Sequence, residues 1–185
     1  LNLTFSLRND YNSNPVCQTN CFNRLADDFA KIDHSIDTPY NQVIKSGLHQ
    51  ALPDSYHAWN WQPRFGFSYA PGSHNTVISG GFGLFTSNIP AVFADNLANN
   101  LPGDPAFIFS GLPFGKDAAG NGPATALAAA NALRAGFANG ATLASLTADV
   151  PGFGAPNFFN VANDIHSPRF QEWNLQVEQA IGTKS

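Results

Sequence analysis

The chain has 185 residues and a net charge of -4, and only 12% of its residues are charged although 43% are hydrophobic. An acidic chain without a basic face excludes nucleic acid as a partner, because phosphate neutralisation requires clustered Lys and Arg. No stretch reaches the roughly 18 uninterrupted apolar residues of a membrane-spanning helix. Any membrane span would therefore have to consist of β-strands.

Four segments alternate apolar and polar residues with a period of two, which is typical of strands that have one apolar face. They predict strands near residues 1–10, 62–71, 75–87 and 169–181. The second and third segments are separated by a turn signal at Pro71 and Gly72, which predicts a hairpin with a tight connection. The sequence thus predicts an all-β fold.

The alternation assigns the side chains of these strands to two faces. The apolar face comprises Leu3, Phe5, Leu7, Phe65, Phe67, Ile78, Phe82, Leu84, Trp173, Leu175 and Val177. The polar face includes Arg8, Arg64, Ser68, Glu172, Asn174, Gln176 and Glu178. Gly80, Gly81 and Gly83 lie in the third strand without the helix start of a phosphate-binding loop. We interpret them as sites of close strand packing or of clearance for a plug in a barrel wall.

Two long segments, 11–61 and 88–168, connect the strands and are far longer than ordinary connections. In the second, Pro123 is expected to open a helix that runs to about residue 135, and a shorter helix is expected near 141–147. These helices would be insertions in the loops of a β-fold.

In the first long segment, apolar residues at helical spacing after Asn23, a plausible N-cap, predict a short amphipathic helix near 24–36. Four aspartates in this region lack the ligand spacing of a known calcium loop, so we interpret them as a polar helix face in water. Cys17 and Cys21 suit a small disulfide in an oxidising compartment, because nothing points to the two further ligands of a metal site.

The connections are asymmetric: with antiparallel strands, both long loops leave one end of the sheet and the tight turn lies at the other. Outer-membrane β-barrels combine short periplasmic turns, long extracellular loops and strands of alternating polarity. An interfacial girdle is expected from Tyr11, Trp59, Trp61 and Phe85 near the loops and from Tyr69 near the turn. The pattern predicts an antiparallel transmembrane barrel segment of about four strands with helical loop insertions.

In this interpretation, the apolar face contacts lipid and the polar face lines the lumen. We hypothesise that Arg8 and Arg64 pair with lumen or plug carboxylates. Because about eight strands is the minimum for a membrane barrel, we expect the chain to be an incomplete barrel. The absence of Met and the start within an alternating pattern lead us to expect that the natural protein extends upstream of Leu1.

Two stretches resemble a known family. Residues 59–71, WNWQPRFGFSYAP, followed by residues 76–85, TVISGGFGLF, look like the hairpin NFxPRxGFxYxP…TVxRGGYGxFY of Oar-like TonB-dependent receptors. Residues 167–179, SPRFQEWNLQVEQ, are similar to the family's strand PxxQQWNLSVQR. The chain departs from the pattern at Ser79, where the family usually has Arg, and at Thr86, where it usually has Tyr.

The resemblance implies a bacterial outer-membrane transporter or receptor that imports or exports a bulky ligand. The family carries a periplasmic plug and a carboxypeptidase regulatory-like domain, and it is driven through TonB. The implied partners are the TonB complex, by way of a plug absent from this chain, outer-membrane lipid and an unknown extracellular ligand.

We expect no enzymatic activity, no cofactor and no metal site, because neither a nucleophile elbow nor a paired metal-ligand motif is present. The alternative is a secreted or surface β-sandwich that binds glycans or peptides. In a sandwich, the apolar face would be buried against a second sheet. In a barrel, it would point outward.

Overall fold

The computed structural model of the chain describes residues 1–72, 75–103, 122–150 and 153–182, with side chains from residue 127 onward in the third range. The chain divides into two compact units. We call the first the sheet unit; it comprises Leu1–Ser13, His57–Pro90 and His166–Ser185. We call the second the loop unit; it comprises Asn14–Tyr56 and Ala91–Ile165.

Strands and short helices alternate irregularly along the chain. In order, they are β1 (Asn2–Tyr11), β2 (Phe22–Leu25), a 3-10 turn (Phe29–Lys31), α1 (Tyr40–Val43), β3 (Ile44–Leu48), β4 (Trp59–Tyr69), β5 (Thr76–Thr86), α2 (Val92–Ala98), α3 (Gly122–Ala138), α4 (Leu143–Asp149) and β6 (Arg169–Gln179). None of the helices within the described ranges has the length and hydropathy that crossing a membrane requires.

The sheet unit is a four-stranded antiparallel sheet with the strand order β1-β4-β5-β6. Each of these strands corresponds to one of the four alternating segments, and the bounds differ from the predicted ones by three residues or fewer. Tyr11 is paired with Trp59, and Thr86 is paired with Arg169. Both long connections therefore leave the sheet at the same end.

The loop unit has its own hydrophobic core beside the two-stranded sheet of β2 and β3. Ala129, Leu133 and Phe137 are buried and follow one another at intervals of four residues along α3, so they form a single apolar stripe. Leu146 of α4 and Ile44 of β3 belong to the same cluster. This burial gives the two long connections a common folded core.

Two features of the sequence delimit α3 and α4. Gly140 follows α3 with φ of +79°, a conformation that favours glycine and ends the helix. Thr142 caps α4: its hydroxyl accepts from the Ser145 amide at 3.2 Å, and the Ser145 hydroxyl accepts from the Thr142 amide at 2.9 Å. The two helices predicted in the second long segment are present, and α3 extends three residues beyond the predicted residue 135.

The helix predicted near 24–36 is wrong. Residues Phe22–Leu25 form β2, which pairs with β3. In the rest of the predicted range the only helical element is the 3-10 turn Phe29–Lys31. Asn23 caps no helix: its side-chain oxygen accepts from the Gly47 amide at 3.3 Å, and its side-chain nitrogen donates to the Asn100 carbonyl oxygen at 3.1 Å. Local hydrogen bonds also compete with helix formation, since the Asp33 carboxylate accepts from the Ser35 amide at 2.9 Å.

Candidate functional site

The register of the four long strands places all the predicted apolar residues on one face of the sheet. Cross-strand partners point to the same side, and Leu3 is opposite Phe67, Phe65 opposite Phe82, and Phe82 opposite Trp173. Most of these side chains are exposed, with Phe5 at 72% and Trp173 at 78% of their full accessible area, whereas Phe67, Ile78 and Leu84 are partly buried. We call this surface the apolar face; it carries Leu3, Phe5, Leu7, Phe65, Phe67, Ile78, Phe82, Leu84, Trp173, Leu175 and Val177.

The opposite surface, which we call the polar face, collects the other predicted set. Arg64 is opposite Gly83, which is opposite Glu172, and Ser68 is opposite Ser79, which is opposite Gln176. The face thus carries Arg8, Arg64, Ser68, Glu172, Asn174, Gln176 and Glu178. That the apolar face contacts lipid and the polar face lines a lumen stays a prediction.

Aromatic rings lie close to two glycines of β5, where a side chain would otherwise be. A Cβ atom at Gly83 would lie 2.8 Å from the Phe85 ring, and a Cβ atom at Gly80 would lie 2.8 Å from the Phe67 ring. The absent side chains leave room for these two rings. Close packing, one of the two interpretations of these glycines, is therefore observed at Gly80 on the apolar face and at Gly83 on the polar face.

Near the loop end of the polar face lies a buried polar cluster that the sequence analysis missed. Gln62 is 2% exposed, and its amide donates to the Asp10 carboxylate at 2.5 Å and to the Thr86 hydroxyl at 2.9 Å. Asn60 is also buried and donates to the Ser167 hydroxyl at 3.4 Å. Asn60 and Gln62 alternate with Trp59 and Trp61, so a period of two that extends the predicted strand back to Trp59 was the available signal.

The two arginines of the polar face have different surroundings. Arg8 Nε is 2.8 Å from Asp10 Oδ1, so its carboxylate partner comes from the same strand. The Arg64 guanidinium lies 4.5 Å from the centre of the Phe85 ring, a cation–π contact. No carboxylate among the described residues pairs with Arg64. The hypothesis that it pairs with a lumen or plug carboxylate stays a prediction.

The aromatic residues at the loop end of the sheet do not form one set. Tyr11 and Trp59 are cross-strand partners with ring centres 4.8 Å apart, and Trp61 shares their face. Phe85 belongs to the polar face, because its neighbour Leu84 lies on the apolar one. The predicted girdle on this end therefore consists of Tyr11, Trp59 and Trp61, and the assignment of Phe85 to it is wrong. At the opposite end, Tyr69 is on the apolar face.

In the loop unit, buried amide side chains join the two long connections. The Asn100 amide donates to the backbone oxygens of Asn23 at 2.8 Å and Phe159 at 2.7 Å, and its own oxygen accepts from the Phe159 amide at 2.9 Å. Cys17 and Cys21, the candidate disulfide pair, are bonded to each other with Cα atoms 5.8 Å apart. Both features restrain the first connection.

The aspartates of the first connection hold turns rather than a helix face. Lys31 Nζ lies 2.6 Å from Asp28 Oδ2, and the hydrogen bond from Lys31 lowers the pKa of Asp28 below its usual range, with a further contribution from the Asn163 amide. The hydrogen bond from the Thr38 hydroxyl lowers the pKa of Asp33. Both groups are exposed, so they remain ionised at neutral pH and keep the surface of this segment acidic.

Comparison with known proteins gives one result. A family model described as an outer membrane beta barrel domain matches residues 1–185. No curated protein and no solved structure matches the chain. Within the described residues, no group of His, Cys, Asp or Glu side chains is arranged to hold a metal ion. Because the match covers the whole chain, this protein belongs to the outer membrane beta barrel domain family and is a protein of the bacterial outer membrane.

Proposed function

We propose that the chain is part of a TonB-dependent transporter of the outer membrane and not an enzyme. In this proposal, the apolar face contacts lipid, the polar face lines the lumen, and the loop unit forms the extracellular surface that captures a bulky ligand. Loops on a rigid scaffold commonly carry recognition. The resemblance of β4, β5 and β6 to the Oar-like receptors supports this assignment within the outer-membrane barrels.

One observation carries the proposal: a four-strand sheet exposes a wide apolar face and presents polar side chains on its other side. Leu175 and Trp173 are exposed on β6, and Phe5 and Leu7 are exposed on β1. Exposed apolar patches of this kind mark surfaces that contact a partner or a membrane. The exposure of these side chains argues against the β-sandwich, in which they would be buried.

The test separates an energised transporter from a passive pore. Full-length protein is purified in detergent, reconstituted in planar bilayers and assayed for ion conductance, and its binding to the periplasmic domain of TonB is measured by calorimetry. We expect no stable open channel, because a plug fills the barrel of such transporters, and we expect saturable binding of TonB.

A steady conductance without TonB binding would identify a passive porin and contradict the proposal. Recovery of the full-length protein from the soluble fraction without detergent would contradict it as well. A porin of known conductance, reconstituted in the same way, is the control for successful insertion.

A further inference from the structure

A small apolar pocket lies within the loop unit beside β2, β3 and α4. Its walls come from Leu25, Val43, Ile44, Leu143 and Phe158, and its volume is about 210 Å³. Tyr40 also lines it, and burial raises the pKa of the Tyr40 hydroxyl. The walls are therefore mainly apolar, and the Tyr40 hydroxyl is partly buried among them.

The volume limits what the pocket can hold. Sites for whole drug-sized ligands measure about 300 to 1,000 Å³, whereas an engineered cavity of about 150 Å³ holds a benzene molecule. The pocket therefore has room for one aromatic ring or one branched aliphatic group. It suits the apolar end of a ligand whose remainder stays outside.

The segment from Asp33 to Thr38 forms one side of the pocket and is ordered by its own hydrogen bonds. Asp33 Oδ1 accepts from the Ser35 amide at 2.9 Å, and Asp33 Oδ2 accepts from the Thr38 hydroxyl at 2.5 Å. The His34 backbone also donates to this carboxylate. A carboxylate has about four lone-pair sites, so Asp33 can still accept one hydrogen bond from a ligand. The Asp33 side chain is thus fixed in place and still available.

Asp33 is the acidic residue among those that line the pocket, and no Lys or Arg lines it. The neighbouring His34 also lines the pocket and is one of the groups that lower the pKa of Asp33. Lys31 is the nearest Lys or Arg along the chain, and its ammonium lies 2.6 Å from Asp28 and 3.6 Å from Asp27. The described residues therefore place no Lys or Arg within ion-pair distance of Asp33.

The whole loop unit extends this charge. It contains ten Asp residues and five Lys or Arg residues, a net charge of -5, whereas the sheet unit has a net charge of +1. A region of net negative charge attracts cationic ligands and raises their association rate. The loop unit is therefore complementary to a cation.

We propose that this pocket binds an organic ammonium ion, with the apolar group in the cavity and the ammonium against Asp33. The inference deepens the proposed function, because it gives the chemical class of the group that the loops capture. An apolar cavity selects the ring or branched chain, and the carboxylate selects the charge.

The test uses three probes of similar shape on purified full-length protein in detergent: 2-phenylethylammonium, 2-phenylethanol and phenylacetate. Binding is measured by saturation-transfer NMR and calorimetry. We expect the ammonium ion to bind most tightly, the alcohol more weakly and the carboxylate most weakly. Equal binding of the three probes would overturn the proposal.

Two substitutions locate the binding. Asp33→Asn removes the charge at the rim and is expected to weaken ammonium binding roughly threefold, as for an exposed ion pair, while binding of the alcohol is unchanged. Ile32 also lines the pocket, and Ile32→Phe would place a ring in the cavity. We expect this variant to bind neither the ammonium ion nor the alcohol. Ammonium binding that survives Ile32→Phe would overturn the proposal.

The matched control is Asp95→Asn, which removes the same charge from the loop unit at an exposed position on α2 that does not line the pocket. We expect it to leave all three affinities unchanged. If it weakens ammonium binding as much as Asp33→Asn does, the attraction is a property of the overall charge and the site is refuted. These binding assays do not involve TonB, so their failure is distinguishable from failure of the proposed function.

Discussion

The ring of Phe67 fills the space that a side chain at Gly80, its cross-strand partner, would need. A Cβ atom at Gly80 would also lie 2.8 Å from the backbone oxygen of Asn174 in β6. The Phe67 side chain can rotate away from an added atom. The backbone of β6 at Asn174 cannot move away without losing hydrogen bonds to β5. The β4, β5 and β6 strands are thus packed against one another at this point.

Gly80→Ala is therefore expected to destabilise the sheet by about 1–3 kcal/mol, as overpacking does. The matched control is Gly66→Ala on the neighbouring strand, where the nearest atoms to an added Cβ are 3.9 Å away. Thermal unfolding of the full-length protein in detergent, followed by circular dichroism, measures both. Equal melting temperatures for the two variants would show that the close approach at Gly80 has no energetic cost.

Leu175 and Gln176 are neighbours on β6 that are both exposed and point to opposite faces. Leu175→Lys is expected to cost about 2–4 kcal/mol in a bilayer, because a charge on a lipid-contacting face must leave water. Gln176→Lys is expected to be nearly neutral, since its neighbour Glu178 can pair with the new cation. Denaturant unfolding of the full-length protein in lipid vesicles gives both values, and similar costs would contradict the assignment of the apolar face to lipid.

Leu133 is fully buried in the core of the loop unit, whereas Leu127 on the same helix is 61% exposed. Leu133→Ala removes methyl groups from a packed core and is expected to destabilise the loop unit by about 2–5 kcal/mol. Leu127→Ala is the control and is expected to have little effect. Hydrogen exchange at the amides of α3 measures the change, and equal exchange rates in the two variants would contradict the core described for this unit.

Asp28 provides a pH-dependent contribution to the stability of the loop unit. Its folded-state pKa is lowered below 3.8 by the hydrogen bond from Lys31, so the contribution is present above pH 3.8 and is lost as the pH falls through the folded pKa. Lys31→Gln removes this bond and is expected to raise the pKa of Asp28 toward 3.8. NMR titration of the Asp28 carboxyl carbon measures the shift; an unchanged pKa in the variant would show that Lys31 is not its cause.

The long strands were predictable from the sequence because alternation is a local property. In β1 and β6, the position of each residue in the alternation decides the face on which its side chain lies. Antiparallel pairing then brings residues of like polarity together. Gly80 and Gly83 were interpreted as sites of close packing or of clearance for a plug, but the rings that they accommodate were not predicted.

The strands β2 and β3 were not predictable by this means. β2 has only four residues, too few for a clear alternation, and its partner begins about 20 residues later. Asn is a residue type that often caps helices, but the Asn23 side chain donates a hydrogen bond to the backbone oxygen of Asn100, 77 residues away. Contacts between residues so far apart in the sequence leave no periodic pattern that a single sequence could show. The pocket beside Tyr40 and the buried Gln62 also depend on contacts between distant segments.

Asn100 has a consequence for engineering and for the divergence of relatives. Its side-chain amide is buried and donates to backbone oxygens of both long connections. Replacing one connection alone would leave buried polar groups of the other without a hydrogen-bond partner. A chimera that imports a single foreign loop would misfold at this junction, whereas one that transfers both loops together keeps the junction intact. The pair of loops is the smallest interchangeable module of this protein.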